Sequence, residues 1–147
     1  MEELWELRRY VQTGDVEAAL ALLDEMEEMS RDDKIIRIRS DMKVLLTRLI
    51  KQAVERRSTR SWDVSIRNAL DEIVTRNKRR KAGGWYLSSE ELAEALREAY
   101  APALDWAALE AFGGAYTAEQ LRSMHDADGL WQDALRLIEQ MQQGQSG

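Results

Sequence analysis

"RDDKIIRIRSDMKVLLTRLIKQAVER", residues 31–56, carries Ile35, Ile38, Met42, Leu45 and Leu49 at alternating steps of three and four. That is the period of an α-helix that buries one side. Ile36, Leu46, Ile50 and Val54 widen the stripe, which predicts a long helix from about Arg31 to Arg56 with neighbours on two sides. The seven-residue repeat fails at Gln52, so the helix reads as part of a bundle rather than of a long coiled coil.

Outward from this stretch the same period recurs. Toward the N-terminus, Leu4, Leu7 and Val11, with Trp5 beside them, make a short helix stopped at Gly14. Asp15 caps a second helix in which Val16, Ala19, Leu20, Leu23 and Met26 share a face opposite Glu17, Asp24, Glu25, Glu27 and Glu28. That helix is expected to end near Met29, with Ser30 as the N-cap of the long one and Asp32 and Asp33 in its first turn. Toward the C-terminus, Ser61 is the expected cap of a helix whose inner face runs through Trp62, Ile66, Ala69 and Ile73 and fades at "RNKRRKAGG". "SSEE" opens the next helix, carrying Leu92, Ala95, Leu96, Ala99, Leu104 and Ala107 toward Phe112. Pro102 lies inside it, and because an interior proline costs about 3 kcal/mol if unrelieved, a kink or two shorter helices are expected there. Thr117 with Gln120 gives a short capped helix, and after Asp128 a last one places Leu130, Trp131, Ala134, Leu135, Ile138 and Met141 inward. The expectation is an all-α, single-domain helical bundle of about six to seven helices over residues 1–143, with a disordered tail at 144–147.

At 147 residues the chain can bury a sizeable core without staples, and it has no cysteine for disulfides or thiolate chemistry. The acidic start "MEELWELRRY" is not a secretory signal, and no apolar run is long enough to span a membrane. A cytoplasmic protein is therefore expected. Catalytic chemistry has little to work with: the one histidine, His125, sits in the expected turn "SMHDAD" with no nucleophile or metal partner at useful spacing. Asp126 and Asp128 before Gly129 resemble a calcium loop, but the glycine comes too early and the closing glutamate is missing. Glu90, Glu94 and Glu98 form a solvated face, and no glycine-rich phosphate cradle occurs. No cofactor or metal is expected, and an enzyme is the less favoured class.

Charge supplies the positive signal. Arg48 to Lys81 holds eleven basic and four acidic residues, against ten and twenty-three in the rest of a chain whose net charge is −6. Two readings follow. In the preferred one the protein is a non-enzymatic module that binds another protein or its own copies, with Trp85, Tyr86 or Trp106 as aromatic anchors. In the other it is an electrostatic nucleic-acid binder through the basic 56–81 region. The candidate residues are Arg57, Arg60, Arg67, Arg76, Lys78, Arg79, Arg80, Lys81, Trp85 and Tyr86. The stretch "RSTRSWDVSIRN", residues 57–68, reads mainly as a structural joint: Asp63 suits the first helical turn and Arg67 stands four residues from both Asp63 and Asp71, while Arg57 and Arg60 have no local assignment.

This joint also carries a family likeness. "RSTRSW" followed by "SI", downstream of "LLDEMEE" and "LLTRLIK" and upstream of "REAYAPA", resembles the bacterial family known as domain of unknown function twenty-nine. Ser61, Trp62, Ile66, Tyr100 and Ala103 match that pattern over roughly Asp15 to Phe112. Arg48, Leu49, Ile50, Lys51 and Gln52 stand where the family has a His-Leu-Leu-Lys-Trp-like segment, so its histidine and tryptophan are replaced. The resemblance implies a helical fold and a bacterial or phage-related origin; it implies no activity.

Overall fold

The computed structural model describes residues 2–79 and 83–146. They form six α-helices: α1 (Glu2–Thr13), α2 (Val16–Glu55), α3 (Arg60–Asn77), α4 (Ser89–Glu110), α5 (Ala118–Arg122) and α6 (Ala127–Ser146). A 3-10 turn, Ala111–Gly114, follows α4. No strand is present among the described residues; the one isolated bridge pairs Lys78 with Trp85. The all-α expectation holds, with the long helix as its longest element.

Two compact units divide the chain, Met1–Ile36 and Arg37–Gly147, so the boundary falls within α2. In the first, α1 ends at Gly14, whose φ of 77° lets the backbone turn back so that the Asp15 amide donates to Tyr10 O at 2.9 Å. Asp15 then caps α2, its Oδ1 accepting from the Ala18 amide at 3.1 Å. Burial here is sparse. α1 buries no residue, and only Ala19 and Leu22 of early α2 are buried. Of the expected inner face, Ala19 is buried and Met26 half-buried, but Val16, Leu20 and Leu23 are exposed at 65, 55 and 42%. The inward line lies a fraction of a turn away, through Ala19 and Leu22.

The expected restart at Ser30 does not occur: α2 runs unbroken from Val16 to Glu55. Serine and aspartate inside a helix each cost only about 0.5 kcal/mol relative to alanine. Between Gly14 and Ser58 there is no glycine or proline to enforce a stop. The helix ends instead at Arg56, which takes the left-handed conformation (φ 54°) usually filled by glycine.

The second unit is a bundle of late α2, α3, α4 and α6. Ile38, Met42, Leu45, Leu46 and Ile50 of α2 are fully buried, as are Ile73 and Val74 of α3, Leu92 and Leu96 of α4 and Ile138 of α6. Alanine lines much of the inner side of α4, at Ala95, Ala99, Ala103, Ala107 and Ala108, and this helix packs on α5 and α6 while α6 also meets α3. α4 is not split at Pro102. It continues to Glu110 with the exposed proline inside it. Two capping boxes start helices as expected, Ser88 with Glu91 for α4 and Thr117 with Gln120 for α5. α3 starts two residues earlier than expected: Thr59, not Ser61, is its cap, accepting from the Trp62 amide at 3.1 Å.

Candidate interaction site

The joint between α2 and α3 is a polar knot around Trp62. Its half-buried ring lies beneath two cations, Lys51 Nζ at 4.6 Å and the Arg57 guanidinium at 4.9 Å from the ring centre. Contacts of this kind contribute about 0.5–2 kcal/mol depending on desolvation. Lys51 is buried, so its charge needs an acid partner. Glu110 at the end of α4 supplies it at 3.2 Å and also takes Arg48 at 2.9 Å. Glu55 accepts from Arg57 at 3.0 Å and from the Phe112 amide at 3.3 Å. Asp63 does not pair with Arg67; its Oδ1 accepts from Ser58 at 2.6 Å and from Gln52 at 3.3 Å. Arg57 therefore has the assignment its sequence context withheld, as a clamp on Trp62, while Arg60 and Arg67 are exposed.

At the other end of α3, Arg76 is half-buried and pairs with Asp41 and, at 2.9 Å, with Glu72. Burial pushes the Asp41 carboxyl above the usual aspartate range even though Arg76 beside it pulls the other way. Asn77, fully buried, is the anchor of the turn that follows. Its side chain accepts from the Leu87 amide at 2.8 Å and donates to Gln142 of α6 at 2.9 Å and to Leu87 O at 3.3 Å. Lys78 and Trp85 are thereby held opposite each other, and Arg79 stacks on Tyr86 at 5.8 Å. Arg80 and Lys81 lie outside the described residues. Trp85 and Tyr86 are half-buried and line a shallow groove of 430 Å³ with Ser88, Glu139 and Gln142.

The eight candidate residues among those described thus do not converge. Arg57 and Arg60 lie at one end of α3, and Arg76, Lys78 and Arg79 at the other; an 18-residue helix spans about 27 Å at 1.5 Å per residue. His125 accepts or donates within a local pair: Nδ1 donates to Leu121 O at 2.9 Å, capping α5, and Nε2 meets the Tyr100 hydroxyl at 2.8 Å. Burial raises the Tyr100 hydroxyl above its ordinary value, with Arg122 opposing and Asp128 reinforcing that shift. Asp126 caps α6 through the Gly129 amide at 3.1 Å. Among the described residues no group of three or more His, Asp or Glu side chains is placed to hold a metal ion.

Exposed apolar side chains are the stronger feature. In the second unit, Trp106 is 52% exposed beside Val44 and beneath Lys43 at 5.9 Å. In the first, Leu4, Trp5 and Val11 of α1 and Val16, Leu20 and Leu23 of α2 are exposed between 42 and 78%. Sequence reasoning assigned most of these to a core, because periodicity identifies an apolar face without saying what covers it. Gln142 and Asn77 were missed altogether, since a lone amide within an amphipathic helix carries no pattern.

No helix of the described residues is long and apolar enough to cross a membrane. Fold and surface together define an all-α bundle preceded by a sparsely packed pair of helices. The chain belongs to the family described as domain of unknown function DUF29, whose model matches residues 9–120. No curated protein and no solved structure matches it.

Proposed function

We propose that this protein is a non-enzymatic module that works by binding another protein, and that residues 2–36 carry the contact. The observation behind this reading is the apolar surface of α1 and early α2: eight large side chains are exposed in a unit whose described residues include only Ala19 and Leu22 as buried. Isolated helices of about a dozen residues are marginal in water. Large apolar side chains left exposed in this number mark an interaction site in soluble proteins. The nucleic-acid reading has less support, because Arg48, Lys51, Arg57 and Arg76 each spend their charge on a carboxylate of the same chain. A direct test compares the full chain with Val11→Glu and Leu20→Glu in binding to partners from its host and to itself. Stoichiometric binding that both variants lose is the expected result; a chain that binds nothing, itself included, or variants that bind unchanged would contradict it.

A further inference from the structure

We infer that the occupant of this face is a second copy of the chain, with α1 of each copy lying on early α2 of the other; the inference rests on the contact reading above. The argument is charge complementarity around two matching apolar stripes. On α1, Leu4 and Val11 are both exposed, and of the two residues that stand three or four positions from each, Leu7 is half-buried and Arg8 is exposed. On α2, exposed Val16, Leu20 and Leu23 are bordered at the same steps by Glu17, Asp24 and Glu27, all exposed. One stripe has a basic neighbour and the other an acidic border. Laying α1 on the α2 of a second copy covers leucine and valine with leucine and valine and brings Arg8 to the carboxylates. The like-on-like alternatives set Arg8 against Arg8, or three carboxylates against three, which is the repulsion that partner choice exploits.

Reciprocity follows. Each copy offers both stripes, so in a two-fold arrangement the contact forms twice and leaves no open end for filament growth. The acidic balance of residues 1–36, eleven acidic against four basic, works against self-pairing unless a basic side chain such as Arg8 faces the carboxylates of the other copy.

Sedimentation equilibrium of the full chain tests this. The expected mass is twice 16.9 kDa at micromolar concentration. Leu20→Glu should abolish dimer formation. Arg8→Glu and Asp24→Arg, surface changes that leave helix content by circular dichroism intact, should each weaken it roughly tenfold or more, and the double variant Arg8→Glu with Asp24→Arg should recover most of that loss. A monomer at all concentrations, a dimer indifferent to these changes, or a double variant no better than the singles overturns the inference. If the chain is monomeric yet a different host protein binds it and not Leu20→Glu, the second-copy inference fails while the contact reading stands. If nothing binds, both fail.

Discussion

Asn77 shows how much one side chain decides. It is fully buried and satisfies three hydrogen bonds that tie the 77–87 turn to α6. Replacing it with alanine leaves the Leu87 amide and the Gln142 carbonyl oxygen without a partner, and each orphaned buried group costs about 1–3 kcal/mol. Asn77→Ala should therefore lower the unfolding free energy by roughly 2–4 kcal/mol in urea, while Arg67→Ala at an exposed position should change it by under about 0.5 kcal/mol. Asp41 supplies a pH dependence. Its carboxyl is raised in the native state, chiefly by burial, so the native state holds that proton more tightly than the unfolded chain does. This contribution is complete below the ordinary aspartate value and is lost as pH rises through the raised native one. Asp41→Asn should flatten the fall in denaturation midpoint just above the usual aspartate range; a profile identical to the wild type would show that the carboxyl is not shifted. None of this was readable from the sequence, because the partners lie far along the chain: Asn77 and Gln142 are 65 residues apart, Arg48 and Glu110 are 62.

At the scale of elements, local chemistry was legible wherever it was self-contained. Ser88 with Glu91 and Thr117 with Gln120 cap their helices as their spacing predicts, since a capping box needs only four adjacent residues. Ser30 failed as a cap because a good cap residue is also tolerable within a helix, and the flanking stretch favours continuation. Pro102 failed as a break for a related reason: it is exposed, and the buried alanines around it hold α4 in place on both sides. The missing hydrogen bond still costs. Pro102→Ala should restore the amide donor toward Glu98 O and stabilise the fold by on the order of 1–3 kcal/mol, seen as a higher thermal midpoint. A loss of stability on that substitution would mean the proline geometry is required by the packing of α4.

For the whole molecule, the sequence announced an all-α bundle because its inner faces recur with one period from Ile38 to Ile138. It did not announce that the first 36 residues stand as their own unit, with little core, since the same apolar period describes a face covered from within and a face awaiting a partner. The charge map was legible in total and misleading in detail: the basic middle is real, yet at Arg48, Lys51, Arg57 and Arg76 it is answered by carboxylates of the same chain. The central claim is that residues 2–36 lack the buried surface to hold themselves and depend on a bound partner. Amide hydrogen exchange on the full chain at nanomolar concentration, where association is reversed by mass action, tests it most directly. Amides of α1 and early α2 should exchange orders of magnitude faster than those of α4 and α6, and slow once a partner binds; amides of α1 as protected as those of α4 in the isolated chain would contradict the account.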